Sequence, residues 1–490
     1  MPVLKIVRAQ LGPRWMAARH LSQRYTVAPL ERPPWLQSVL DDATGPPRSF
    51  VWTLENLERS ERTKSPDKQR IHSRSDHTRR IHILGVGNLG RLYAACLAQL
   101  SNPPPITLVV NRRSLLEHWG TDPGIEITRY GMAERVLNFE IEWWTADKPS
   151  IGPVREIGHG HQLNNLIVAT KAQNAMAQVD SLRRYLGSSS TVLFVQNGVN
   201  RLWPPHGSAY NDHRYPGGQN PNWVHGVTMH GVYSEGKFRS VHAAPADITI
   251  GPVCSSDKHP EKASYLTEMI TQAPHLAARA VSRPQLWILQ LEKLVINSII
   301  NPLSAILRVK NGDLFADKDG NVVKVMDALL DETSKVLQAL ARHESTTQIL
   351  EGDEASEEAL LQRFSATRLR ELLHQIGEKV KHNRSSMLQD TEAGKQTEIG
   401  EFNGWLVETA EMLGQGQEVS SHKIVIDLEL SRRRRDQGIG NGVRDELPSL
   451  DSSSQHRLCG FATVAASLIP TTQPASRYQR VREEGAGLRS

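Results

Sequence analysis

The residues of this 490-residue chain with the clearest chemical promise lie on one apolar, helix-forming stretch. Between Trp287 and Leu303, Lys293, Asn297 and Asn301 recur every four residues. At about 100° per residue, that interval keeps the three side chains within roughly an 80° arc of one helix face. A cation and two amides on such a face cost desolvation unless they meet polar partners. Asn is also a poor helix former, which a merely solvent-facing stripe would not favour. The stripe is therefore expected to face a cleft. There Lys293 is suited to stabilise and protonate an oxygen that gains negative charge, as a ketone oxygen does on accepting hydride, with partial burial lowering its pKa. The amides of Asn297 and Asn301 would donate to a substrate without adding charge. A second group follows about a hundred residues on. Ser386, in Ser385–Asp390, is a candidate donor to a substrate carboxylate, and Glu398 a candidate partner for Lys293 or acceptor from a hydroxyl. By spacing alone these two would pass for helix caps and ion pairs.

A second motif supplies a nucleotide site. Gly85-Val86-Gly87-Asn88-Leu89-Gly90 is G-x-G-x-x-G, preceded by the apolar run Ile81–Leu84 and followed by the helical Arg91–Leu97. In that setting Gly85 permits the tight turn, Gly87 lets a pyrophosphate approach the backbone, and Gly90 lets helix and strand pack. The free N–H groups opening the helix face the phosphates. The next strand-like run, Ile106–Val110, ends in Asn111-Arg112-Arg113-Ser114. An NAD site needs a carboxylate there, whereas Arg112 and Arg113 suit a 2′-phosphate. The expected cofactor is NADPH.

The elements that must position these groups follow from periodicity. Leu166–Thr170 and Val192–Val195 read as buried strands flanking a helical stretch, Ala172–Leu186. Residues 124–144 read as a hairpin on the sheet edge and Val224–Gly251 as strands closing the first domain. Residues 201–222, rich in Pro, Gly, His and Asn, read as a surface insertion. From Gln285 the pattern is helical to about residue 430. The expected fold is α/β, an N-terminal Rossmann-type doubly wound parallel sheet followed by an all-helical C-terminal domain. The expected organisation is a basic, Pro-rich extension over 1–80, whose residues from 31 read as linker, a cofactor domain over 81–280, a helical substrate domain over 281–430, and a polar, disordered tail over 431–490.

Composition narrows the classes. The chain is 39% hydrophobic and 23% charged with net charge +5, so cores can form and no nucleic-acid partner is needed to explain the charge. The run Arg432–Arg435 reads as part of a solvated tail. Cys96, Cys254 and Cys459 match neither a zinc spacing nor a disulfide framework, which favours a reducing compartment. No apolar run is long enough to span a membrane. His159, His161, His225 and His230 have no carboxylate or Cys at ligand spacing, so no metal is expected. The first 30 residues hold Lys5, Arg8, Arg14, Arg19 and Arg24 and no Asp or Glu. They fit a mitochondrial transit peptide or a disordered basic arm, which leaves mitochondrion and cytoplasm both open. The oligomeric state is not readable; a homodimer is one option.

Together these residues resemble the ketopantoate reductase (2-dehydropantoate 2-reductase) family over about residues 81–430. The matching pieces are Gly85–Gly90, Lys171, Gln196-Asn197-Gly198, Gly226–Val232 with His242 and Gly251, Glu292-Lys293 through Asn297 to Asn301-Pro302, and Ser385–Asp390 to Thr397-Glu398. The resemblance implies NADPH reducing 2-dehydropantoate to pantoate, with Lys293 as general acid. It further implies Asn297, Asn301, Ser386 and Glu398 against the substrate, and Lys171 and Asn197 near cofactor and cleft. Residues 243–247 lack the glycines usual after the His, which questions the local turn, and the tail lacks the usual closing helix. Two other readings stand beside it: a reductase of another branched 2-oxo acid, and a non-catalytic NADPH-binding sensor or scaffold, which would have no reason to keep Lys293, Asn297, Asn301 and Glu398 together.

Overall fold

The computed structural model describes residues 32–57, 77–256, 259, 263–350 and 356–436. Helix α1 (Pro34–Asp41) and strand β1 (Phe50–Trp52) come first, followed by β2 (Ile81–Leu84), α2 (Asn88–Leu97), β3 (Ile106–Val110) and α3 (Arg113–Thr121). Then come β4 (Ile125–Arg129), β5 (Met132–Val136), β6 (Glu140–Thr145), β7 (Arg155–Glu156), β8 (Asn165–Val168), α4 (Ala172–Ser181) and β9 (Thr191–Phe194). Helix α5 (His206–Arg214), β10 (Asn222–Thr228), β11 (Gly231–Gly236), β12 (Arg239–Ala244), β13 (Ile248–Cys254), α6 (Ala263–Gln272) and β14 (Ala278–Ala280) complete the α/β part.

The main sheet runs β14-β13-β10-β9-β8-β2-β3-β6-β1-β7. Its centre is parallel from β10 through β9, β8, β2 and β3 to β6. Those strands are short apolar runs because helices cover both faces; β3, β8 and β9 are buried throughout. The order reverses between β2 and β8, so the crevice beyond the carboxyl ends of those two strands is the place for a dinucleotide. This is the doubly wound sheet that the sequence predicts.

The helical part opens with α7 (Arg283–Leu307), capped by Ser282, whose hydroxyl accepts from Gln285 N, and started by Pro284 in the first turn. It is followed by α8 (Asn321–Arg342), α9 (Glu344–Thr347), α10 (Glu357–Arg363), α11 (Ala366–Lys379) and α12 (Ser386–Glu392). A π turn (Gly400–Gly404), α13 (Trp405–Met412) and α14 (Ser420–Asp436) follow. Helix α7 is buried on most of its circumference, with Trp287, Leu291, Leu294, Val295 and Ile299 inside. One apolar cluster runs from Val179, Phe194 and Trp223 under the sheet to Trp287, Leu337 and Phe402 among the helices. The two parts therefore share a core.

Several local expectations are corrected. Residues 32–57 are no linker: β1 pairs antiparallel with β6 and β7, and Leu36, Val51 and Leu57 are buried. Two short apolar patches among prolines are enough to bind this segment to the sheet edge. Residues 201–222 are no surface insertion. Helix α5 buries Tyr210 completely, with Trp203 and Tyr215 nearly so, and Arg214 pairs with Asp180 and Asp42. The hairpin in 124–144 forms as β4–β5, but in a separate sheet of order β11-β12-β4-β5, while β6 returns to the main sheet. Arg432–Arg435 form the last turn of α14 instead of a tail. Residues 243–247 turn without positive φ, so the missing glycines are not required there. The basic segment 1–31 and the tail beyond 436 lie outside the described residues.

Candidate active site

The nucleotide cradle is set by three glycines with different jobs. Gly85 has φ +95, and a Cβ there would lie 2.7 Å from the Thr170 methyl. A Cβ at Gly90 would meet Gly85 O at 2.1 Å, so α2 can approach β2 only with glycine at that position. Gly87, the N-cap of α2, has nothing within 4 Å of its would-be Cβ. The protein's own packing therefore does not require glycine at position 87, and that space fits a pyrophosphate set against free N–H groups. Val86 is buried and Leu89 packs on the sheet core. Asn88 is turned to structure: its Nδ2 donates to Val232 O (3.2 Å) and its Oδ1 accepts from Ser240 Oγ (3.4 Å). Arg91, which the motif did not single out, holds the small sheet onto α2 by donating to Val86, Gly236 and Arg239 carbonyls. Burial lowers its pKa to about 10.

At the end of β3 the two arginines separate. Arg113 is engaged with Glu117 one helical turn on (2.7 Å). Arg112, the N-cap residue of α3, is exposed, as a side chain reaching for a 2′-phosphate must be.

The polar stripe of α7 faces polar partners as expected. Lys293 Nζ donates to Asn197 Oδ1 (2.8 Å) in the loop after β9 and to Thr228 O (2.5 Å) at the end of β10. Burial lowers the ammonium's pKa to about 8, against the opposing pull of Glu398. Asn301 Nδ2 donates to Asn297 Oδ1 (3.4 Å), which links the stripe along the helix. Pro302 inside α7 has no N–H to give Ser298 O, and Asn403 Nδ2 from the π turn supplies that hydrogen bond (2.8 Å). His422, neutral because burial lowers its pKa to about 4, lies 3.0 Å from the same amide.

The remaining candidates gather on the other wall. Lys171, the N-cap of α4, pairs with Asp390 of α12 (2.6 Å) and lies 4.0 Å from Glu398. Glu398 is buried, and its Oε1 accepts from Ala172 N (3.2 Å) at the start of α4. Desolvation raises its pKa despite Lys171. The expected direct pairing of Glu398 with Lys293 is not formed; the carboxylate acts on the ammonium through space. Ser386 is exposed in the first turn of α12, whereas its neighbour Ser385 is buried, capping Leu388 N and accepting from Ser304 Oγ of α7 (2.7 Å).

Sequence reasoning missed Gln290 and His225, which lie behind Lys293. A cavity of about 10 Å³, the scale of one water, is lined by Lys293, Asn197, Asn297, Gln196, Gln290 and His225 among others. His225 had read as an ordinary histidine, and an isolated His on a buried strand carries no signal that would mark it. Chemically, this arrangement presents an ammonium with two N–H groups committed among the described residues and the third able to donate. It sits where the loops after β9 and β10 meet α7.

Comparison with known proteins gives the same outline. Residues 81–254 match the family model described as ketopantoate reductase PanE/ApbA, and residues 286–428 match its C-terminal model. The ketoisovalerate reductase BEA2 of Gibberella fujikuroi is 41% identical over 429 residues, covering 81% of this chain and 95% of that protein. A probable 2-dehydropantoate 2-reductase of Schizosaccharomyces pombe is 30% identical over 370 residues, covering 72% and 96%. Among solved structures, D-mandelate dehydrogenase with NADH and anilino(oxo)acetate superposes with a TM-score of 0.52 at 16% identity, over 73% of this chain and 99% of that one.

Proposed function

Because this chain belongs to the ketopantoate reductase family, a family of 2-oxo acid reductases, we propose that it reduces the ketone of 2-oxoisovalerate (ketoisovalerate) with NADPH. The observation that carries the reading is Lys293. It is a partly buried ammonium with its pKa brought to about 8, held by Asn197 and the Thr228 carbonyl, and among the described residues its third N–H has no acceptor and can meet a ketone oxygen. A group with a pKa near neutrality combines a largely protonated resting state with an easy proton transfer.

A bound nicotinamide supplies the hydride. The chain's own residues do the rest. The start of α2 at Gly87 and the exposed Arg112 hold the nucleotide, Arg112 selecting the 2′-phosphate. Lys293 stabilises negative charge on the ketone oxygen and gives it a proton. Asn297 and Asn301 donate to the substrate from the same stripe, and Ser386 stands ready for its carboxylate. The Lys171–Asp390 pair joins the α4 end of the cofactor domain to α12.

The substrate assignment rests on the Gibberella relative, which is 41% identical and named a ketoisovalerate reductase, against 30% for the relative named a probable 2-dehydropantoate 2-reductase. The second reading, 2-dehydropantoate, is favoured by the family model itself. The two acids share carboxylate and ketone, and 2-dehydropantoate adds a hydroxymethyl group on the next carbon. The test follows NADPH oxidation with each acid and with NADH as the control cofactor. A higher kcat/KM on 2-oxoisovalerate with NADPH supports the proposal, preference for 2-dehydropantoate moves it to the second reading, and silence on both in a folded, NADPH-binding protein sinks it.

A further inference from the structure

The amide side chains around the small cavity behind Lys293 already accept hydrogen bonds. Asn197 Oδ1 accepts from Lys293 itself, Gln196 Oε1 from Val195 N (3.1 Å), Gln290 Oε1 from Trp203 Nε1 (2.6 Å) and Asn297 Oδ1 from Asn301 (3.4 Å). His225 from β10 completes the wall and is 2% exposed. Its Nδ1 lies 3.3 Å from Asn200 Nδ2. The orientation of that amide is fixed, because Asn200 Oδ1 accepts from Leu202 N (2.8 Å). Asn200 therefore presents a donor, His225 Nδ1 must accept, and the ring proton sits on Nε2.

We infer that His225, locked by Asn200 as the Nε2–H tautomer, is a positioning residue for Lys293: it offers the ammonium a donor instead of an acceptor, which leaves the third N–H of Lys293 for the substrate ketone. In the opposite tautomer Nε2 would be an acceptor on the cavity that Lys293 also lines. Burial and the Lys293 charge keep the ring neutral, with its pKa lowered to about 3, so it does not switch by protonation in the working range. The other charged groups near Lys293 are Glu398, with Lys171 and Asp390 beyond it, and Glu292 on α7, which is paired with Arg363. None of these contacts the imidazole in the structure.

This inference rests on Lys293 being the proton donor. Asn200→Ala removes the amide donor that fixes the ring without adding a charge, which frees the ring to carry its proton on Nδ1. It is expected to lower kcat about tenfold and raise the alkaline limb of the pH profile by about one unit, with NADPH affinity unchanged. His225→Gln keeps an N–H near the Nε2 position and is expected to stay within about threefold of wild type with the limb unmoved. Equal losses of kcat in both variants without movement of the limb would mean a packing role only and overturn the inference. A second measurement is independent of turnover and of any variant that fails to fold. Ring ¹⁵N shifts of the histidine-labelled wild-type protein should show His225 with its proton on Nε2; a proton on Nδ1 overturns the tautomer lock. A wild type with no alkaline limb, but with the Nε2–H tautomer in place, would instead fault the assignment of Lys293 as the acid.

Discussion

Asn197→Ala removes one of the two hydrogen bonds made by the Lys293 ammonium among the described residues, those to Asn197 and to Thr228 O. The amide oxygen lies 2.8 Å from the ammonium, and among the described residues the other acceptor is Thr228 O at 2.5 Å. A hydrogen bond to a charged group contributes about 1.5–3 kcal/mol. The neutral amine would keep part of that, so a differential of about 1.4 kcal/mol is a fair expectation, equivalent to about one pKa unit. Removing a partner of the charged form lowers the pKa, here from about 8 toward roughly 7. With Lys293 as the proposed acid, activity is expected below its pKa and should fall as pH rises through it. The alkaline limb of kcat/KM should therefore move down by about one unit, with little change in the rate below pH 6. The assay is NADPH oxidation at limiting 2-oxo acid across pH 5.5–9.5, in buffers of constant ionic strength. A limb that stays in place while the rate drops evenly at every pH would show that Asn197 only orients ligands and that the ammonium's pKa is set elsewhere.

Three further outcomes follow from the same geometry. Lys293→Ala should lower kcat by about 10² or more while NADPH still binds, as read by fluorescence titration, and near-normal turnover would remove Lys293 from the mechanism. Arg112→Ala should raise KM for NADPH roughly tenfold and leave KM for NADH nearly unchanged; parallel changes for both cofactors would detach Arg112 from the 2′-phosphate. Gly90→Ala places a Cβ against Gly85 O, so it should abolish cofactor binding or lower Tm by several degrees, and a variant with normal Tm and NADPH affinity would contradict the close helix–strand approach.

Legibility from sequence divided along physical lines. The parallel strands could be read because burial on both faces forces short apolar runs, and the turn at Gly85–Gly90 because its glycines answer separate steric demands. The stripe Lys293–Asn297–Asn301 could be read because helical periodicity converts spacing into a shared face. What failed depended on long-range partners. Trp35–Leu36 and Phe50–Trp52 are too short to outweigh the prolines around them; Leu36 is revealed only by its burial in the folded chain and Phe50–Trp52 only by pairing with β6. Residues 201–222 look like loop by composition, yet Tyr210 is buried because Trp35, Tyr215 and Trp223 close around it.

The same division explains the site. Lys293 and its amides share one helix, so their grouping is written locally. Asn197 and Asn200 come from the loop after β9 and His225 and Thr228 from β10, and they gather around Lys293 and its cavity only because β9 and β10 are adjacent parallel strands packed under α7. The carboxylate of Glu398 shows the cost of reasoning from charge alone: an acid near a buried lysine suggests an ion pair, but the N-terminal N–H of α4 and Lys171 claim it first. Held off Lys293, it limits the fall in the ammonium's pKa without fixing the proton in a salt bridge. A direct pair would raise the pKa further and slow the transfer that the site is built to make.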